Sequence, residues 1–253
     1  MSKEHIWAEW LDPHLPPKLS DHRILHQVDY PDRAERRVEK RSGDIRSRKI
    51  RRVCEVCNNG WMSQIQNQTK EFLLPIIKGE TRLLNRREQT LAASWCGMLV
   101  MIGEFLSPEG AGVSQEDRKY LHDTRRLPSH WRVWLGRAPR NPSIVHHHSL
   151  AQLVDQEFPD AVPGGEAKAP NTQTTTFCVG EAFFHVESSS LPVARFAIRR
   201  RRWRGLDAKL IRLWPVKGGI RWPPGSPLTN PEMEFVAYRF YNQIREIAFL
   251  ASV

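Results

Sequence analysis

Residues Leu91 to Leu106 form the longest apolar run in the chain, and they set the first constraint on its fold. Gly97, Gly103 and Glu104 interrupt the run. It falls short of the roughly 20 apolar residues that span a bilayer as a helix. A helix read from about Arg87 to Phe105 is apolar on most sides, so it has to be buried nearly all round. Other layers must therefore cover it. One is a preceding helix, where Met62, Ile65, Thr69, Phe72, Leu73, Ile76 and Ile77 recur at helical spacing. Gly79 is its stop, and Pro75 kinks it or ends it early. Another is a short charged helix running to about Arg126, introduced by Ser114 and Asp117 in a capping pattern.

The second half changes period. Trp131-Arg132-Val133-Trp134-Leu135 alternates as a strand does, and Thr174 to Val186 is rich in Thr, Phe and Val. Val193 to Ile198 and Lys209 to Trp214 read as further strands. Residues 159 to 173 read as an exposed loop, and Trp222-Pro223-Pro224-Gly225 as a turn. Glu232 to Phe249 reads as a closing helix. Prolines 13, 16, 17 and 31 exclude a long helix from the first 32 residues. The order predicts an α+β protein: a small mixed module, central helices, a β-rich region and a last helix.

With 253 residues, 40% of them hydrophobic, the chain is long enough for one or two domains with a real core. Its mean hydropathy is −0.53, and its start lacks the apolar stretch of a signal peptide. A soluble, cytoplasmic protein is the expectation. Four cysteines, Cys54, Cys57, Cys96 and Cys178, are too few for a disulfide scaffold. Cys96 and Cys178 read as core residues of a helix and a strand. Cys54 and Cys57 form a Cys-x-x-Cys pair, a spacing that suits metal or redox chemistry.

The formal net charge is +10, from 38 Lys and Arg against 28 Asp and Glu. Such a chain attracts polyanions. The basic residues concentrate between Arg33 and Arg52, where Arg46, Arg48, Lys49, Arg51 and Arg52 are placed to contact a nucleic-acid backbone or to form a solvated face. Arg199 to Arg204 is a second basic cluster, read as a charged turn. His146, His147 and His148 cannot chelate one ion from a strand, because neighbours point to opposite faces.

Two segments carry the chemistry: Glu4-His5-Ile6-Trp7-Ala8-Glu9-Trp10-Leu11 and Cys54-Glu55-Val56-Cys57-Asn58-Asn59-Gly60-Trp61. An acid directly before a histidine, followed later by Cys-x-x-Cys-Asn at the start of a helix, resembles the HNH endonucleases. More specifically, it resembles a bacterial and phage subgroup with Cys-x-x-Cys-Asn-Asn-Gly-Trp-Met-Ser. It implies a ββα-metal module over residues 1–80, with its signature between Lys3 and Ser63, and a mixed region of unassigned role over 81–253. It further implies hydrolysis of DNA phosphodiesters, with His5 as general base. Glu4 and Asn58 would hold Mg²⁺ or Mn²⁺, Asn59 being the less favoured alternative. A neutral His takes a proton near physiological pH, and hard cations prefer oxygen donors.

Related modules hold a structural Zn²⁺ with two Cys-x-x-Cys knuckles. Cys54 and Cys57 match the second. The first has no counterpart before Glu4, and Arg46 to Arg52 offers no middle Asn. The resemblance therefore leaves three expectations: an amino terminus cut short, a zinc site lost, or one completed by His14, His22 or His26. A non-catalytic, zinc-supported nucleic-acid-binding protein is the alternative function. Trp7, Trp10 and Trp61 are expected to pack the small module.

Overall fold

A computed structural model describes residues 2–15, 21–29, 34–42, 46, 49–106, 110–153, 170–200, 203 and 205–238. The chain starts with strand β1 (Ser2–His5) and a 3-10 turn over Glu9–His14, then a hairpin of β2 (Asp21–Asp29) and β3 (Ala34–Ser42). Strand β4 (Lys49–Val53) follows and pairs antiparallel with β1. It leads into the single-turn helix α1 (Glu55–Cys57), a kinked segment at Asn58–Met62, and helix α2 (Ser63–Ile77). A short β5 (Arg82–Leu84) precedes helices α3 (Arg86–Gly103) and α4 (Gln115–Thr124).

Strands β6 (Arg132–Arg137), β7 (His146–Ala151), β8 (Thr172–Val179) and β9 (Ala182–Ser189) then build the main sheet. Helix α5 (Pro192–Arg200), β10 (Leu210–Trp214), β11 (Ile220–Trp222) and helix α6 (230–238) complete the described chain. The large sheet has seven strands in the order β10-β6-β9-β8-β7-β2-β3, and β2–β7 is a parallel pair. The α+β class therefore stands.

Helix α3 is buried as its composition demands. Ala92 to Gly103 are buried throughout, and Trp95 is fully enclosed. Asn85 caps it by accepting from the Glu88 amide, while the Glu88 side chain accepts from the Asn85 amide, the two halves of a capping box. Its far end is fastened by Glu104. That fully buried carboxylate accepts from the Gly112 and Val113 amides and from Arg118 on α4. Among the described residues α3 with its continuation to Leu106 is the one helix long and apolar enough to cross a membrane, and most of it lies inside the fold.

Helix α2 runs through Pro75 to Ile77, the proline lacking the amide that would donate to the carbonyl four residues earlier. Gly79 stops it at φ 78°, a value that favours glycine. At Gly180 (φ 53°), in the β8–β9 turn, an added Cβ would stand 2.4 Å from the Ile77 carbonyl oxygen. That close approach docks the hairpin on the end of α2, where the Glu181 amide donates to the same carbonyl.

Two buried clusters sit on opposite faces of the large sheet. On one, Phe177, Phe184 and Val186 pack with α2, α3 and the amino-terminal residues Ile6, Trp7 and Leu11. On the other, Trp134, Cys178 and Phe183 pack with Trp203, Leu206 and, from α6, Met233 and Val236. Trp7 and Trp10 thus join the core of the whole molecule: Trp7 lies edge-on to Phe177 at 5.7 Å, and the Trp10 and Trp95 indoles both donate to Gln66.

One reading needs correction. Val193 to Ile198 is helical, not extended. Pro192 suits the first helical position, and the buried Ala194 and Ile198 are spaced i, i+4. Asn58-Asn59-Gly60 forms a kink between helical segments, with Gly60 at φ −92°, ψ −111°. The closing helix is described over 230–238; its remainder, and residues 159–169 of the anticipated loop, lie outside the described residues. Thr172 and Gln173 already belong to β8.

Candidate functional site

The strand that carries Glu4 and His5 pairs with the strand that leads into the Cys54–Asn58 segment, nearly 50 residues further along the chain. Ser2 stands opposite Val53, Glu4 opposite Ile50 and His5 opposite Lys49, with an irregularity between Ser2 and Glu4. Ile50 is buried, whereas Lys49, Arg51 and Arg52 are exposed. The pattern gives a ribbon with an anchored underside and a basic outer surface. The chain leaves β4 at Val53 directly into the Cys54–Cys57 segment and α2. The order is thus strand, strand, helix, with the β2–β3 hairpin inserted between the two strands.

His5 is half-buried, and its Nε2 lies 3.7 Å from Glu9 Oε1, with the Glu9 side chain largely in solvent. The Glu4 side chain lies outside the described residues. Asn58 accepts the role of C-cap for α1, donating its amide to the Glu55 and Cys54 carbonyls. The register sets a scale for the site. His5 is level with Lys49, four residues before Val53, which at strand rise is about 13 Å from the point where the helical segment begins. Asn58 approaches His5 only to the extent that the kink at Gly60 turns the chain back along the ribbon.

The thiols form a pair of unequal acidity. Cys54 is exposed and accepts from the Cys57 amide at 3.1 Å. Hydrogen bonding from Cys57, first by its thiol and then by its backbone, holds the Cys54 thiol below its ordinary value. Cys57 is pushed up, chiefly by hydrogen-bonding to Cys54 and then by partial burial. An exposed thiol whose thiolate is favoured by neighbouring hydrogen bonds is chemically suited to ligate a metal.

A closed tetrahedral zinc site needs four such donors. Cys96 and Cys178 cannot contribute, because both are buried in the core and burial raises both thiols. His14 is half-buried, with its pKa lowered by burial and by Lys78. The side chains of His22 and His26 lie outside the described residues. Among the described residues no three His, Cys, Asp or Glu side chains group closely enough to hold a metal ion. Cys54 and Cys57 therefore fit half of a structural zinc site, and the described residues do not complete it.

Of the basic residues singled out, Lys49, Arg51 and Arg52 lie on β4, and the Arg52 guanidinium sits 5.8 Å over the Phe105 ring. Arg46 is half-buried and donates to the Asp12 carbonyl at 3.4 Å, so it braces the 3-10 turn. Arg48 lies outside the described residues. Arg125 and His122 add further basic groups near the knuckle: the Arg125 guanidinium is 5.0 Å over the Trp61 ring, and His122 meets that ring edge-on at 5.9 Å. They come from the far end of α4, so local sequence gave no sign of them.

The histidine triplet behaves as strand geometry requires. His146 packs edge-on to Trp7 on one face of the large sheet, and His147 looks to the other. His147 there joins a concentration of buried polar side chains that no sequence motif announced. Comparison with protein-family models, with curated proteins and with solved structures finds no significant match to this chain.

Proposed function

We propose that the chain is a DNA-directed, metal-dependent endonuclease of the HNH type, working through β1, β4 and the helix that follows them. The observation that supports this reading most is the β1–β4 pairing, which sets the Glu4-His5 strand beside the strand that runs into Cys54-x-x-Cys57-Asn58, in a strand-strand-helix order. The donor chemistry agrees: a Glu4 carboxylate and an Asn58 amide oxygen are hard ligands suited to Mg²⁺ or Mn²⁺. Held there, the ion would neutralise charge on the phosphate and the leaving oxygen. His5 takes the proton of the attacking water, and the Glu9 carboxylate 3.7 Å from Nε2 then faces an imidazolium it can stabilise. Lys49, Arg51 and Arg52 bind the phosphate backbone beside this point.

The test is nicking of a supercoiled plasmid with Mg²⁺ or Mn²⁺. Wild type should cut, and His5→Ala should bind DNA as before while cutting at least about 100-fold more slowly, the scale of a lost general base. A second reading, a non-catalytic DNA-binding protein on the same frame, draws on the absence of a three-donor group among the described residues. It wins if wild type and His5→Ala bind equally and neither cuts. Absence of DNA binding at low salt would reject both.

A further inference from the structure

Arg125 closes α4 as its C-cap, in a backbone conformation that suits another residue. Its φ of 61° and ψ of 22° are the left-handed values at which glycine commonly ends a helix. Among the described residues it is the one non-glycine residue with positive φ. The conformation is fixed from both sides. The Arg125 amide donates to the Leu121 carbonyl at 2.9 Å, and Ser94 Oγ donates to the Arg125 carbonyl at 2.8 Å. An arginine at a position shaped for glycine bears a side chain that the turn itself does not need.

That side chain reaches the kinked segment Asn58–Met62. Its guanidinium lies 5.0 Å over the Trp61 ring, and Arg125 as a residue is exposed. No carboxylate among the described residues pairs with it. The neighbouring Asp123 is taken up by Lys119 at 2.6 Å and by His122 at 2.7 Å. Further back along α4, the Arg118 guanidinium sits 4.6 Å over the Phe105 ring, which Arg52 of β4 also approaches at 5.8 Å. Arg118 is committed to Glu104, whereas Arg52 is exposed. Helix α4 thus runs beside the chain from the end of β4 to the segment before α2. Arg118 and Arg125 are about two turns apart along it, or about 10 Å. A duplex strand carries one phosphate per about 3.4 Å of axis, so cations near the two ends of α4 are placed to meet separate phosphates.

Resting on the DNA-directed reading above, we propose that Arg125 binds a phosphate of the DNA duplex. The interface then continues from Arg51 and Arg52, past the Cys54–Asn58 segment, onto the end of α4. Trp61 is the floor of this contact. A guanidinium lying over a ring face keeps its N–H edge available, and that edge matches a phosphate with two parallel hydrogen bonds. The occupant is a polymer backbone and not a small anion, because Arg51, Arg52 and Arg125 are exposed and spread along a surface.

The experiment is fluorescence anisotropy of a labelled random-sequence duplex with the full chain, over a range of NaCl concentrations. Arg125→Gly should weaken binding about tenfold and lower the salt dependence by about one unit of slope. Glycine fits the left-handed position, and the lost ring contact is at the surface, so this variant should melt within about 3 °C of wild type. Arg125→Lys keeps the charge and should keep the wild-type slope. Arg140→Ala removes an equal charge from the β6–β7 loop, whose Ala138 and Ile144 pack on the other face of the large sheet, and should bind as wild type does. A wild type that binds, with affinity and slope unmoved by Arg125→Gly, overturns the Arg125 contact alone. So does an equal loss in Arg140→Ala, or an Arg125→Lys variant that loses as much slope as Arg125→Gly. A wild type that binds no duplex at low salt overturns the DNA-directed reading and this contact with it.

Discussion

The amino-terminal ribbon and the polar face of the large sheet hold their chemistry in opposite ways. The ribbon is two short strands, with Lys49, Arg51, Arg52 and Cys54 exposed and one buried anchor, Ile50. Its basic groups and the Cys54 thiol lie in solvent, so they contribute little to stability. The sheet face encloses His185 and Glu187 completely. Its groups are part of the interior, and changing one changes the fold's free energy. An exposed site advertises itself by residue type and spacing, whereas an enclosed one is assembled by register and carries no local signature.

The contrast can be broken most sharply by substitution. Glu187→Ala leaves His185 and Arg132 without their buried carboxylate and should cost about 3–5 kcal/mol in urea denaturation. Cys54→Ser on the exposed knuckle should change stability by less than about 0.5 kcal/mol. Equal effects would erase the distinction between the regions.

A pH titration sharpens it next. His147 is neutral in the folded protein, with its pKa lowered to about 4 by burial and then by His185. The unfolded chain protonates this group below its ordinary value of 6.5. Stability is therefore full above pH 6.5 and declines as pH falls toward 4, by roughly 3 kcal/mol at most. Denaturation of wild type and His147→Asn at pH 7, 5.5 and 4 should show a flatter profile for the variant. Parallel profiles would remove His147 as the cause.

Thr176→Val deletes the hydroxyl that meets His185 Nδ1 and should cost about 1 kcal/mol. On the ribbon, Arg51→Ala and Arg52→Ala should leave stability within about 0.5 kcal/mol. Each should lower the salt dependence of DNA binding by about one unit of slope, measured by fluorescence anisotropy between low and moderate salt.

The elements legible in the sequence are those whose determinants are local. The α3 run and the Ser114 cap of α4 are marked by period and by capping residues within a few positions. Val193 to Ile198 was misread because Val, Phe and Ile favour strands by type, while Pro192 and the Ala194–Ile198 spacing decide for a helix. Of the candidate site, the resemblance implied two strands followed by a helix, but the partners of Glu4 and His5, Ile50 and Lys49, lie outside the motif and only the register shows them. The Arg125 and His122 groups beside Trp61 were not legible either, because α4 brings them from more than 60 residues away. The sheet cluster was least legible. His147, Thr174, Glu187 and Arg132 lie on four strands, and only the β7-β8-β9-β6 order makes them neighbours.

The central claim is that Glu4, His5 and Asn58 serve one divalent ion, and it can be tested without any substrate. The full chain, labelled at His and Asn side chains, is titrated with Mn²⁺ while nuclear magnetic resonance spectra follow paramagnetic broadening. The His5 and Asn58 signals should broaden together at the same low Mn²⁺ concentration, and both should sharpen again in the Glu4→Gln variant. Broadening of one signal without the other, or of neither, would contradict a shared site.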